Sequence, residues 1–156
     1  MEAEILTRSE AETERVGRRF ASALAPADVV YLIGGLGAGK TSLARGIATG
    51  LGAREREVAS PTFALLHEYA GAAGRIVLRH LDLYRLRDRA EDLEVLGLPE
   101  SVEGAAVAVE WPGRAIRALL PPTIECRIDR LADGTRRIRI ERAVEEKGER
   151  AETDKA

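Results

Sequence analysis

Chemistry is concentrated in IGGLGAGKTS, residues 33–42, where Gly34, Gly39, Lys40 and Thr41 fall at the spacing G-x-x-x-x-G-K-[ST]. Each residue type has a purpose at that spacing. The glycines, Gly34, Gly35, Gly37 and Gly39, let backbone N–H groups close on phosphate oxygens. Lys40 brings a cation to the β and γ phosphates, and the Thr41 hydroxyl is a ligand for magnesium. The candidate phosphate-binding run is therefore Gly34, Gly35, Leu36, Gly37, Ala38, Gly39, Lys40, Thr41 and Ser42. Lys40 is also the only lysine before residue 147, which singles it out, although an arginine-rich coding bias gives the same scarcity.

Phosphate chemistry needs acids to hold magnesium and position water. Glu110 ends the apolar run AAVAV, and Asp82 lies in RHLDLYRL at the end of the preceding strand region. With 26 acidic residues in the chain, each could equally be a surface carboxylate or an arginine partner. In SPTF, residues 60–63, the hydroxyls of Ser60 and Thr62 could touch a γ-phosphate or its water, or simply form a turn. Trp111, the only tryptophan, is either a core indole or a wall of the nucleotide site. His80 shares a strand face with Asp82 and reads by itself as a structural histidine, and Tyr84 is a similar case. Arg85, Arg87 and Arg89 form a basic cluster open to three readings: phosphate clamp, partner patch or solvated face.

These residues need a scaffold, and the hydrophobic pattern supplies one. Ser9 with Glu12 predicts a capping box opening a helix of about sixteen residues, with Val16, Phe20 and Leu24 on one face. DVVYLIGG reads as a buried strand that stops at glycine, and TSLARGIATGLG as the helix after the loop, closed at Gly50 or Gly52. FALLHEYAG and GRIVLRHLDLY predict two strands joined through residues 71–74, which makes part of the sheet antiparallel. A short helix is expected over residues 89–96, a buried strand in AAVAVEWPG and a short helix in RAIRALL. TIECRIDRL and TRRIRIERA alternate with period two around Ala132, Asp133 and Gly134, a hairpin signal. That alternation makes Cys126 a core residue.

Composition narrows the function classes. At 156 residues and 45% apolar content the chain can build one core, expected over residues 1–143, followed by a disordered tail over 144–156. A net charge of −2 from 24 basic and 26 acidic residues gives no overall basic field for nucleic acid or anionic membrane. One cysteine and two histidines exclude an internal disulfide and a structural zinc site. No apolar run approaches the roughly 18 residues of a membrane span, and MEAEILTRSEAETE has no signal-peptide core. The expected location is the cytoplasm.

Together GGLGAGKTS, SPTF, HLDLYRL and VEWP stand in the order and spacing of the TsaE family, also called YjeE, bacterial ATPases required for tRNA threonylcarbamoyladenosine biosynthesis. The resemblance covers residues 9–130, and four motifs in register are far more specific than the glycine loop alone. Gly35 departs from the family's common GDLGAGKT, in which an aspartate stands at that position. The resemblance implies a P-loop NTPase fold of the α/β class, three layers α/β/α with a mixed parallel and antiparallel sheet and a C-terminal β-hairpin. It implies ATP hydrolysis with magnesium alongside TsaB and TsaD, with tRNA involved only indirectly. By position, Lys40 resembles the phosphate lysine, Thr41 and Glu110 the magnesium ligands, and Asp82 the catalytic carboxylate that orients or deprotonates water. Thr62 is similar to the threonine facing the γ-phosphate, and Trp111 to the tryptophan beside the nucleotide. Two other classes stay in competition, a small-molecule kinase with Arg85–Arg89 as its lid and a nucleotide-dependent binding module with little turnover.

Overall fold

The computed structural model describes residues 2–54, 57–59, 66–85 and 104–143, with 57–59 described by backbone course alone. Among the described residues eight strands form one sheet: β1 (Glu2–Thr7), β2 (Val29–Gly34), β3 (Glu57–Ala59), β4 (Leu66–Ala70), β5 (Ile76–Asp82), β6 (Ala106–Glu110), β7 (Ile124–Arg130) and β8 (Arg136–Arg142). Their order is β1-β8-β7-β2-β6-β5-β4-β3. The centre, β7-β2-β6-β5, is parallel, and both flanks are antiparallel. Among the described residues the α-helices are α1 (Glu10–Phe20), α2 (Lys40–Gly50) and α3 (Arg114–Leu119).

Alternation along β2 explains the layering. Val30 and Leu32 join a core with Phe20 of α1 and Leu43, Ala44 and Ile47 of α2, while Val29 and Tyr31 join the opposite core with Ile116 of α3. Strands buried on both faces read as continuous apolar runs, as DVVYLI and AAVAV do. The result is the expected three-layer mixed α/β architecture. Glycines bring α1 and α2 together, because a Cβ on Gly17 would strike the Leu43 carbonyl and one on Gly46 the Glu14 carbonyl.

Several local expectations meet corrections. The Ser9 side chain accepts from the Glu12 N–H at 3.1 Å, but the Glu12 carboxylate takes the Arg8 N–H at 2.6 Å, one residue before the cap. The helix ends at Phe20 and tightens into a 3-10 turn over Ala21–Ala23, so it is shorter than sixteen residues. β1 and β3 were not expected at all, and β1 pairs antiparallel with β8, Ile5 opposite Ile138. The hairpin of β7 and β8 forms as read, its loop closed by Leu131 N–H to Thr135 O at 2.7 Å and Thr135 N–H to Asp133 Oδ1 at 2.9 Å. Cys126 is fully buried in the α1–α2 core, and burial pushes its thiol up to about 12. The helix expected over 89–96, Arg87 and Arg89, the SPTF segment with Ser60 and Thr62, and the tail 144–156 lie outside the described residues. No helix among the described residues is long and apolar enough to cross a membrane.

Candidate functional site

The loop between β2 and α2 places backbone N–H groups at a helix N-terminus, the ready site for an anion. Its shape demands glycine where it turns hardest. Gly37 and Gly39 have φ of +72° and +111°, and a Cβ at Gly34 would meet the Ile128 carbonyl at 2.5 Å. Gly35 differs, since a Cβ there meets nothing within 4 Å and its φ lies outside the left-handed region. The loop has steric room for a side chain at Gly35, where this sequence departs from GDLGAGKT. Leu36 at the loop tip is exposed, while Ala38 and Ser42 are buried.

Lys40 opens α2 and is 5% exposed. Its Nζ donates to Gly34 O at 2.5 Å and Gly35 O at 2.9 Å and lies 3.8 Å from the centre of the Trp111 ring. Burial pulls the Lys40 ammonium below its usual value, against the opposing pull of Glu110 and Asp82. Trp111 takes a left-handed backbone, φ +57°, directly after Glu110 and packs edge-on against Tyr84 at 4.9 Å. That strained turn aims the indole at the lysine. A groove of about 330 Å³ runs beside it, lined by Leu32, Ile33, Gly34, Gly35, Trp111 and Arg117 among others.

β6 delivers Glu110 to the same place. The surface-carboxylate reading of Glu110 falls away, since at the end of β6 it is only 3% exposed. It is satisfied inside: Thr41 Oγ1 donates to Oε1 at 3.2 Å and lies 3.4 Å from Oε2, and His80 Nε2 lies 2.9 Å from Oε2. Burial raises the Glu110 carboxyl, but the hydrogen bond and electrostatic attraction of His80, the Thr41 hydrogen bond and the Lys40 cation together bring it net below the ordinary carboxylate range. Asp82 sits on β5 in register with Glu110 and accepts from the Tyr84 N–H at 3.1 Å.

The structure thus brings Lys40, Thr41, Glu110 and Trp111 together and puts Asp82 on the adjoining strand. Sequence reading missed two neighbours. His80 is the internal partner of Glu110, a relation that only the β5–β6 pairing reveals. Arg136, at the start of β8, lies against the loop so closely that a Cβ on Gly39 would stand 3.1 Å from its Cδ. The alternation of the hairpin gave no signal for that contact. Among the described residues no group of three His, Cys, Asp or Glu could hold an ion without other ligands. A hydroxyl and a carboxylate 3.2 Å apart nonetheless fit magnesium, which takes few protein oxygens and completes its shell with phosphates and water.

Comparison with known proteins identifies a family. Residues 7–138 match the family described as threonylcarbamoyl adenosine biosynthesis protein TsaE. The TsaE protein of Treponema pallidum is 41% identical over 136 residues, 86% of this chain and 97% of that protein. The TsaE protein of Bacillus subtilis is 40% identical over 128 residues, 81% of this chain and 77% of that protein. The crystal structure of Bacillus subtilis YdiB superposes with a TM-score of 0.69 at 31% identity, covering 92% of this chain and 87% of that one.

Proposed function

This chain belongs to the TsaE family, and from that premise we propose that it binds ATP with magnesium and hydrolyses it to ADP and phosphate. The hydrolysis serves formation of tRNA N6-threonylcarbamoyladenosine (t6A37) in the cytoplasm, together with TsaB and TsaD. One observation carries the reading: Lys40 and Thr41 at the α2 N-terminus meet Glu110 of β6 within hydrogen-bond distance of Thr41.

Gly34 to Ser42 cradle the phosphates through backbone N–H groups. Lys40 leaves the Gly34 and Gly35 carbonyls for the β and γ phosphates, and Trp111 lies beside the nucleotide. Thr41 and Glu110 hold magnesium, which supplies neutralising charge to the phosphoryl oxygens. Asp82, in register with Glu110 on the next strand, orients or deprotonates the attacking water, and the γ-phosphate contact is assigned to Thr62 by the SPTF resemblance alone. TsaB and TsaD read the nucleotide state, tRNA being met only through them. The domain spans 1–143, with 144–156 a tail.

Steady-state ADP release, measured with no added acceptor, tests the reading. The expected result is turnover that rises when TsaB and TsaD are added and falls about 10²–10⁴-fold in Asp82→Ala, the range lost with a general base. An enzyme that releases ADP only when a small-molecule acceptor is supplied would instead be a kinase.

A further inference from the structure

His80 and Glu110 are each 3% exposed, and they meet across parallel strands. The register sets Asp82 opposite Glu110 and His80 opposite Ala108, so the imidazole stands one row behind the carboxylate, above a small residue that leaves it room. On the other side His67 of β4 is the direct cross-strand partner of His80, their rings 6.0 Å apart and tilted by 39°. Three strands therefore bring His67, His80 and Glu110 close together, the two imidazoles in one row and the carboxylate in the next.

We propose that His80 is a positioning residue for the metal-binding carboxylate, its Nε2–H pinning Glu110 Oε2 so that Oε1 is held toward Thr41 for magnesium. The inference rests on the reading of Glu110 as a magnesium ligand. A glutamate has three rotatable bonds, and ordering such a side chain costs about 1.5–2 kcal/mol at most. The bond to His80 at 2.9 Å imposes that order before the metal arrives. An ionised carboxylate can only accept, so the proton must be on Nε2. A lysine or arginine in this place would also satisfy the carboxylate but would oppose the cation. An imidazole can donate one hydrogen bond without carrying a charge. Partners behind a metal ligand typically contribute 10–100-fold in metal affinity.

The experiment is a magnesium titration of the full chain saturated with ATP, followed by the fluorescence of Trp111, the only tryptophan, whose ring lies 3.8 Å from Lys40 Nζ. His80→Ala is expected to raise the half-saturating magnesium concentration about 10- to 100-fold while ATP affinity in EDTA stays at the wild-type value. His80→Gln, which keeps a donor near the Nε2 position, is expected to recover most of that loss. Wild-type magnesium dependence in both variants, or a loss of metal-free ATP binding in step with the magnesium effect, overturns the proposal. A wild type whose ATP binding ignores magnesium overturns the Glu110 reading itself and the inference with it. A second measurement needs no His80 variant. The chain has two histidines, and ¹⁵N NMR of the imidazole nitrogens, with His67→Gln to assign them, should find the His80 proton on Nε2. A ring protonated on Nδ1 alone would overturn the proposal.

Discussion

Gly35 and Gly39 sit in one loop, yet they should respond to the same substitution in opposite ways. Gly39→Ala forces a side chain onto a φ of +111° and toward Arg136, which costs about 1–3 kcal/mol. Gly35→Ala meets open space and restricts the unfolded chain, a gain of about 0.4–1 kcal/mol. Urea midpoints of the two variants check this, and a Gly35→Ala loss as large as that of Gly39→Ala would show that the loop is shaped differently. Lys40, Thr41 and Glu110 were legible in the sequence because motif spacing and the end of an apolar run locate them. His80 and Arg136 were not, because their place depends on which strands lie side by side.

At the scale of elements, α2 carries Lys40 and Thr41, and its position is set by close packing on α1. Gly46→Ala would gain about 1 kcal/mol in a solvent-exposed helix. Here the new Cβ would also stand 2.8 Å from the Glu14 carbonyl carbon and 2.9 Å from its Cα. Backbone atoms cannot step aside as side chains do, so overpacking of about 1–3 kcal/mol wins. The expected outcome is a net loss in denaturant stability and a weaker nucleotide affinity as the α2 N-terminus shifts. A gain in stability would place the helix crossing elsewhere. The central strands, α2 and the β7–β8 hairpin were readable from periodicity and turn residues. β1 escaped because an edge strand with a single half-buried row, Ala3 and Ile5 between exposed Glu2, Glu4 and Leu6, has too little pattern to separate it from a polar terminus.

For the molecule as a whole, the double-sided core fixes the response to alkali. Burial pushes Cys126 up to about 12 from 9.0. Tyr31 rises to about 12 from 10.0, chiefly by burial, with Arg117 opposing and Glu125 adding to it. A raised folded-state value means that the folded chain keeps a proton the unfolded chain has released. Each group's stabilisation is therefore complete below its unfolded value and is lost as pH rises from there toward 12. Each contributes a slope of at most about −1.4 kcal/mol per pH unit. Denaturant titrations from pH 7 to 11 should show stability falling from pH 9, and Cys126→Ala should flatten that limb while adding a pH-independent cavity cost. An unchanged limb would mean that Cys126 is not enclosed. The antiparallel flanks could be read from turn signals between alternating strands along the chain, whereas the three-layer α/β class was implied by the family resemblance. The eight-strand order could not be read, because no local pattern tells β7 to insert between β8 and β2.

Lys40, Thr41 and Glu110 are proposed to form one magnesium-ATP site, and calorimetric titration of ATP with and without magnesium is the decisive measurement. Wild type should bind ATP more tightly with magnesium than in EDTA. Lys40→Ala should lose binding in both conditions, whereas Glu110→Gln should keep the metal-free affinity and lose the magnesium enhancement. A Lys40→Ala chain that binds ATP as the wild type does, or a Glu110→Gln chain with the full magnesium effect, would contradict it.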